Sequence, residues 1–455
     1  MKKFSVLLAS LAIFSCQKTP KDYMVLSGTV TNPNTENVLV SGHGLREKLP
    51  LTADGTFSDT LKIKEPGYYT LRIGKESSTF YLANGGDIDL TIDTKLFDET
   101  LKYTGEGAAE NNYLAAKYLS NEELTANQKE FYSLDEKAFV AKVDSIEKAY
   151  KDKLDDADVS DEFEALETKN LKYDTYTYLN YYQRAYPHYT GNPEYTPSET
   201  ITSYKSEIDY DNDADAKAYS NYAGLVISDF YAKTNALENE DSLKYKTIEL
   251  LKAKKSPVLQ QKIMDELAFE IRPGNMEIAP YYFDEFMELS TDEAFKENLI
   301  VQYELFKKLI AGAPSPTFKN YESIDRKEMS LADFKGKYVY IDVWATWCGP
   351  CKREIPYLKQ VEEQFKDKNI EFVGISVDVK ADKNTWRTFV EENELVGTQL
   401  FADKDWSSDF MVEYGVQYIP RFILIDTEGN IINAAAPNPS SGEELTDLLS
   451  SLENI

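Results

Sequence analysis

Residues 338 to 351 read Tyr-Val-Tyr-Ile-Asp-Val-Trp-Ala-Thr-Trp-Cys-Gly-Pro-Cys, and the reading of this stretch decides the fold of the last third of the chain. Its first half is rich in β-branched and aromatic residues, which predicts a strand. That strand delivers Cys348 and Cys351, spaced C-x-x-C, to a helix-competent segment from Lys352 to Phe365. A cysteine pair between a strand and a helix start points to dithiol–disulfide chemistry.

Working outward, Pro314 and Pro316 mark a linker, and residues 318 to 334 read as an extended lead-in. The pattern then predicts strand 337–344, helix 350–367, strand 370–377, helix 382–393, strand 398–402 and helix 406–413. Strands 421–426 and 430–434 follow, turned by Glu428-Gly429, and a helix over 442–452 closes the chain. Alternating strands and helices imply a central sheet covered on both faces.

Trp347-Cys348-Gly349-Pro350-Cys351-Lys352 resembles the active-site sequence of thioredoxins. Asp342, six residues before Cys348, matches their buried aspartate, and Ile419-Pro420 matches their cis-proline site. Cys351-Lys352-Arg353-Glu354-Ile355-Pro356 is similar to the Cys-x-x-Glu-x-Pro pattern of the membrane-tethered TlpA/ResA-type members. The 72 residues from Cys348 to Pro420 leave room for the extra strand and helix of that subgroup, here about 377–402.

The resemblance implies roles. Cys348 precedes a helix whose free N–H groups and dipole stabilise an anion, so its pKa is expected to fall from ~8.5 toward ~7 and make it the attacking thiolate. Cys351 is expected to lie deeper and to act as the resolving thiol. Asp342 and Glu354 are the two candidate proton acceptors for Cys351, since a buried carboxylate has a raised pKa and serves as a general base. Trp347, Gly349, Pro350, Ile419 and Pro420 are expected to border the substrate, with Ile419 and Pro420 offering backbone to it. Trp344 is expected to shield and pack. Arg421 stands where many relatives carry a small Thr, which suggests a cation beside the dithiol. The Gly-Pro pair resembles reducing dithiols, near about −270 mV rather than the about −120 mV of strong oxidants. Implied partners are disulfide-containing envelope proteins, as in cytochrome c maturation, and a membrane electron donor that transfers thiol electrons.

The chain's start fits that setting. Lys2 and Lys3 precede an apolar run, Phe4 to Phe14, too short to span a bilayer. Ile13-Phe14-Ser15-Cys16 resembles a lipobox, which implies lipidation of Cys16 after removal of residues 1–15 and a tether to the periplasmic side of a Gram-negative-type envelope.

The expected architecture is multi-domain. Residues 1–16 form the leader and lipobox, 23–105 an all-β sandwich-like domain, 106–312 an α-helical domain, and 313–455 an α/β thioredoxin-like fold. In the β segment, Ile88, Leu90 and Ile92 alternate with polar residues, and turn signals recur at Asn32-Pro33, Asp54-Gly55, Pro66-Gly67 and Asn84-Gly85-Gly86, which predicts short antiparallel strands. In the helical segment, Phe139, Val143, Ile146 and Tyr150 share one face. Ser256-Pro257 predicts a helix start, and Ser290 with Glu293 a capping box opening a helix that carries Phe295, Leu299, Phe306 and Ile310 and stops near Gly312. Eight tyrosines between 173 and 195 suggest either helix packing or an aromatic surface for a protein or glycan, with Pro187, Pro193 and Pro197 expected to break the helix.

Composition removes several alternatives. With 78 acidic and 50 basic residues the formal charge is −28, which disfavours nucleic acid. Three cysteines and two histidines, His43 and His188, argue against a structural zinc site, and no cofactor is implied. Ala345 stands where a peroxiredoxin requires Thr, which disfavours a peroxidase. The remaining alternative is an envelope binding protein with an ancillary redox domain.

Overall fold

The computed structural model describes residues 21–236 and 240–455. The leader and Cys16 lie outside the described residues. The chain divides into two compact units, one ending at Lys233 and one running from Thr234 to Ile455. The division falls inside the segment 106–312, so its helices are shared between the units.

The first unit opens with β1 (Met24–Thr31), β2 (Asn37–Gly42), β3 (Leu45–Pro50), β4 (Thr56–Leu61), β5 (Gly67–Ile73), β6 (Glu76–Leu82), β7 (Asp87–Asp93) and β8 (Lys102–Glu106). They form two four-stranded sheets, ordered β4-β1-β7-β8 and β3-β2-β5-β6. Alternation does the work here: β7 buries Ile88, Leu90 and Ile92 and exposes Asp87, Asp89 and Thr91. Those apolar residues join Met24, Leu26 and Val30 of β1 and Leu71 and Ile73 of β5 in one core. At Gly28 the strands pass so closely that a Cβ would lie 2.5 Å from the Leu90 carbonyl oxygen. The sheets are not purely antiparallel, since β1 runs parallel to β7. A parallel pair needs a long crossover, and strands β2 to β6 supply it.

Phe139, Val143, Ile146 and Tyr150 are buried on the helix Glu136–Asp155, as their spacing predicts. The helix Asp161–Thr190 continues through Pro187 and ends at Gly191 (φ 67°). The expected break fails because Pro187 sits in the last turn, where its missing N–H removes a single bond. The tyrosines from Tyr173 to Tyr189 therefore lie on this helix, with Tyr195 beyond it. Tyr182 stacks on Phe139 at 4.1 Å. The Tyr173, Tyr176 and Tyr195 hydroxyls donate to Asp215, Glu207 and Glu136, each at 2.7 Å. These rings serve packing with satisfied phenols, the use that Tyr suits inside a protein.

In the second unit Ser256 caps its helix by accepting from the Leu259 N–H. The cap of the helix Glu293–Phe306 is Asp292, not Ser290. Ser290 instead ends the preceding helix and donates to Gln261 at 2.6 Å. The helix Glu293–Phe306 itself stops short of Gly312, so Ile310 is exposed rather than on the buried face.

The sheet of this unit comprises β9 (Tyr321–Ser323), β10 (Glu328–Met329), β11 (Tyr338–Trp344), β12 (Ile370–Ser376), β13 (Thr398–Phe401), β14 (Arg421–Ile425) and β15 (Ile431–Asn433), in the order β10-β9-β13-β12-β11-β14-β15. Strand β11 lies between a parallel β12 and an antiparallel β14, and all its residues are buried. Burial on both faces explains its nearly continuous apolar sequence. On one face Tyr338 and Tyr340 meet Val361 and Phe365 of the helix Gly349–Phe365 and Leu445 and Leu449 of the helix Glu443–Ser450. The lead-in 318–334 is a small hairpin, β9 with β10, and a 3-10 turn over Leu331–Phe334. The additional helix is Lys383–Glu392, and the additional strand is β13, which pairs with β9.

Candidate active site

Strand β11 ends at Trp344, and the chain turns through Ala345 to Trp347 into the helix Gly349–Phe365. Cys348 is that helix's N-cap: its Sγ accepts the Cys351 N–H at 3.1 Å. Pro350 occupies the first turn, where a missing N–H costs nothing. Cys348 and Cys351 are joined as a disulfide. The expected difference in depth is absent, because each cysteine is 3% exposed in this oxidised form. Their chemical asymmetry comes from the helix end, which aims its N–H donor at the sulfur of Cys348. Trp347, Gly349 and Pro350 around the pair are exposed, and the rings of Trp347 and Trp406 lie 6.5 Å apart. Trp344 is buried against Phe389.

Asp342 projects from β11 on the face that carries the dithiol helix. It lines a cavity of about 20 Å³ with Cys351, Lys359, Glu362 and Gln399. Asp342 Oδ1 and Gln399 Oε1 are buried there without a hydrogen-bond partner among the described residues. Burial, reinforced by Glu354 and then Glu362, pushes the Asp342 carboxyl up to about 8. Burial also pushes Glu362 up to about 7, against the pull of Lys359. A carboxyl with such a pKa exchanges protons at neutral pH, which is what a thiol–thiolate conversion next to it requires.

Glu354 is buried on the same helix, but its carboxylate is committed elsewhere. It accepts the Ser440 N–H at 2.9 Å and the Ser440 hydroxyl at 2.8 Å. Ile419 and Pro420 are half-buried, joined by a cis peptide bond. Arg421 does not extend beside the dithiol as a free cation. It pairs with Val343 in the β11–β14 register, so its side chain leaves the sheet on the face opposite Asp342. There it is 5% exposed and donates to the Tyr418 hydroxyl at 3.2 Å. Burial lowers its pKa.

One clamp was not foreseen. Asp378, fully buried just after β12, accepts the Thr346 N–H at 2.9 Å, the Thr346 hydroxyl at 2.7 Å and the Ser376 hydroxyl at 2.7 Å. It fixes the turn immediately before Cys348. Ser376 and Asp378 at the end of an apolar strand were the available signal, since a buried carboxylate demands donors. Glu362, Gln399 and Ser440 were likewise missed. They meet the site through elements distant in sequence. No group of three or more His, Cys, Asp or Glu side chains suited to a metal occurs among the described residues, and no described helix is long and apolar enough to cross a membrane.

A family model described as Redoxin matches residues 310–452. The thiol-disulfide oxidoreductase ResA of Bacillus thuringiensis subsp. konkukian is 32% identical over 128 residues, which are 28% of this chain and 69% of that protein. ResA of Bacillus subtilis is 31% identical over 121 residues, 27% of this chain and 64% of that protein. Among solved structures, the thioredoxin domain of a thiol-disulfide oxidoreductase from Bacteroides vulgatus is similar at 31% identity, covering 31% of this chain and 96% of that one, with a TM-score of 0.28.

Proposed function

The chain belongs to the TlpA/ResA-like thioredoxin family of thiol-disulfide oxidoreductases, and from that premise we propose that it reduces disulfides of envelope proteins through Cys348 and Cys351. The observation that carries this reading is the disulfide at a helix N-terminus with the buried Asp342 behind it. Reduced Cys348 attacks a substrate disulfide as a thiolate, held by the helix end, and one substrate sulfur leaves and takes up a proton. Cys351 loses its proton to Asp342 and attacks Cys348 Sγ, which releases the second substrate sulfur and closes the disulfide. Two electrons pass to the substrate, and a membrane-bound dithiol donor restores them, since the envelope is oxidising. Exposed Trp347, Gly349 and Pro350, with the backbone at Ile419 and Pro420, border the incoming segment. Glu354, held by Ser440, tunes Asp342 by its charge rather than taking the proton itself.

The test is a trap. Cys351→Ser in the full chain removes the resolving thiol, so Cys348 is expected to accumulate as mixed disulfides with its substrates, identifiable after purification under acid quench. Absence of any mixed disulfide in cells, with Cys348 found reduced, would sink the reading.

Location at the periplasmic face, through lipid on Cys16, is supported by the basic start, the apolar run and the Ser15-Cys16 pair. Metabolic labelling with a radiolabelled fatty acid is expected to mark the wild type and to be lost in Cys16→Ala. Label retained by the variant would exclude this attachment.

A further inference from the structure

The cavity behind the dithiol has a second end. Its floor is Asp342 and Cys351, and its far walls are Lys359 and Glu362 from the dithiol helix and Leu395, Val396 and Gln399 from the segment leading into β13. Lys359 and Leu395 are half-buried and Val396 is exposed, so this end reaches the surface away from Trp347, Gly349 and Pro350. At about 20 Å³ the cavity has room for one water molecule, for which roughly 10–15 Å³ suffices. Such a water needs polar partners, and the unpartnered Asp342 Oδ1 and Gln399 Oε1 provide them. Gln399 is oriented for this: its amide nitrogen donates to the Val396 carbonyl at 2.8 Å, which turns its oxygen inward. Gly374, beside Asp342 in β12, makes the room, since a Cβ there would collide with the Gln399 amide.

We propose that Glu362 is the proton outlet of the dithiol: the proton that Cys351 gives to Asp342 passes through the cavity water to Glu362 and leaves to solvent past Lys359. This rests on the reading of Asp342 as the base for Cys351 and extends it. The balance is simple. The Cys351 S–H bond breaks as an Asp342 O–H bond forms; the water then accepts that proton while giving one to the Glu362 carboxylate, which restores ionised Asp342. When the donor reduces the disulfide, the same steps run backward and supply a proton to Cys351. The route matters because the bound substrate covers the other side of the pair.

The charged groups facing these two carboxyls are few. Asp342 is faced by Glu354 and Glu362 from the dithiol helix and by Tyr340 from its own strand. Glu362 is faced by Lys359. Strands β12, β13 and β14 present Gly374, Gln399 and Phe422 next to Asp342, none of which titrates. Of the two carboxyls that face Asp342, Glu362 is the one that lines the cavity with it and with Cys351, while Glu354 is held by Ser440.

The test uses the full chain with wild-type cysteines. Stopped-flow tryptophan fluorescence, with a disulfide peptide as substrate, separates formation of the mixed disulfide from its resolution between pH 5 and 9. Glu362→Gln is expected to leave formation unchanged, to slow resolution at pH 7 by about tenfold or more, and to remove the ionisation near pH 7 from the profile. Glu362→Asp is expected to restore that ionisation, which a packing role would not require. Asp342→Asn separates the two readings. If it slows resolution while Glu362→Gln keeps the wild-type rate and profile, the outlet is refuted and the base stands. If Asp342→Asn itself resolves at the wild-type rate, both fail. Should Glu362→Gln not fold, carbon-13 NMR of wild-type side-chain carboxyls decides. Coupled titration of Asp342 and Glu362 supports the outlet, and independent titration overturns it.

Discussion

Asp342→Asn is expected to make the protein more stable at pH 8 and slower at its chemistry. The Asp342 carboxyl titrates at about 8 in the folded protein against an ordinary 3.8, with burial as the main cause. Between those values the folded protein holds a proton that the unfolded chain releases, so stability falls as pH rises across the window. Below the ordinary value both states are protonated and the penalty is absent. Asparagine carries no such proton, so its advantage is nil near pH 3.5 and grows with pH. Each unit is worth ~1.4 kcal/mol, and coupling to Glu354 and Glu362 trims the sum, leaving a gain of about 3 kcal/mol at pH 8. Urea unfolding of the oxidised protein at the two pH values measures it. Resolution of the mixed disulfide should meanwhile slow by about a hundredfold at pH 7, the usual weight of a positioned general base. The deficit should shrink toward pH 9, where hydroxide competes with the carboxylate as the base. A variant with the wild-type pH slope of stability would show that the Asp342 carboxyl keeps its ordinary acidity, too weak a base for the Cys351 thiol, and the proposed mechanism would lose its base.

The second large effect belongs to the first unit. The Glu167 side chain is fully buried, and it accepts from Lys117 Nζ at 2.7 Å, Asn170 at 3.1 Å and the hydroxyls of Tyr68 and Tyr113. Lys117 reaches Asp174 as well, at 2.6 Å. Burial alone would lower the Lys117 pKa, but Asp174 and Glu167 outweigh it and the net shift is upward. Tyr68 lies on β5, and Glu167 and Asp174 lie on the helix Asp161–Thr190, so this network joins the sandwich to the helices behind it. Glu167→Ala takes the acceptor from the Tyr68 phenol and the Asn170 amide, leaves the Tyr113 phenol only the Tyr150 carbonyl at 3.4 Å, and half-unpairs a buried ammonium. Breaking a buried pair in this way costs about 3–5 kcal/mol. Glu167→Gln keeps the volume and an acceptor oxygen and should lose about half as much. The unfolding transition of this unit, followed by tyrosine-sensitive near-ultraviolet dichroism, is the readout. A Glu167→Ala midpoint within error of wild type would mean that water already supplies these partners.

The sequence made part of this legible because local rules were decisive there. The β-branched and aromatic run at Tyr338–Trp344 reads as a strand, and the C-x-x-C pair that follows it reads as the start of the next helix, as the structure has them. The alternation of Ile88, Leu90 and Ile92 likewise assigns a half-buried strand without help from its neighbours. Expectations went astray where two local rules competed. Pro187 reads as a breaker, yet in a last turn it removes one bond while the surrounding tyrosines are held by packing. Ser290 and Asp292 are both good caps, and the choice of Asp292 followed from Gln261, which engages Ser290 from another helix.

The chemistry of the dithiol was thus determined by the sequence alone: two thiols, their spacing, their place ahead of a helix and a carboxylate on the preceding strand are all local facts. Tertiary structure decided what surrounds them. The Glu354 carboxylate was engaged by Ser440, 86 residues away. Arg421 was turned to the far face by strand register. The turn before Cys348 was fixed by Asp378 from just beyond the neighbouring strand. Asp342 acquired its pKa, and its partner Glu362, from a cavity that closes only when β13 and the dithiol helix pack together. The physical reason is common to all four. Burial and hydrogen-bond supply depend on which elements meet, and no local pattern along the chain specifies that meeting.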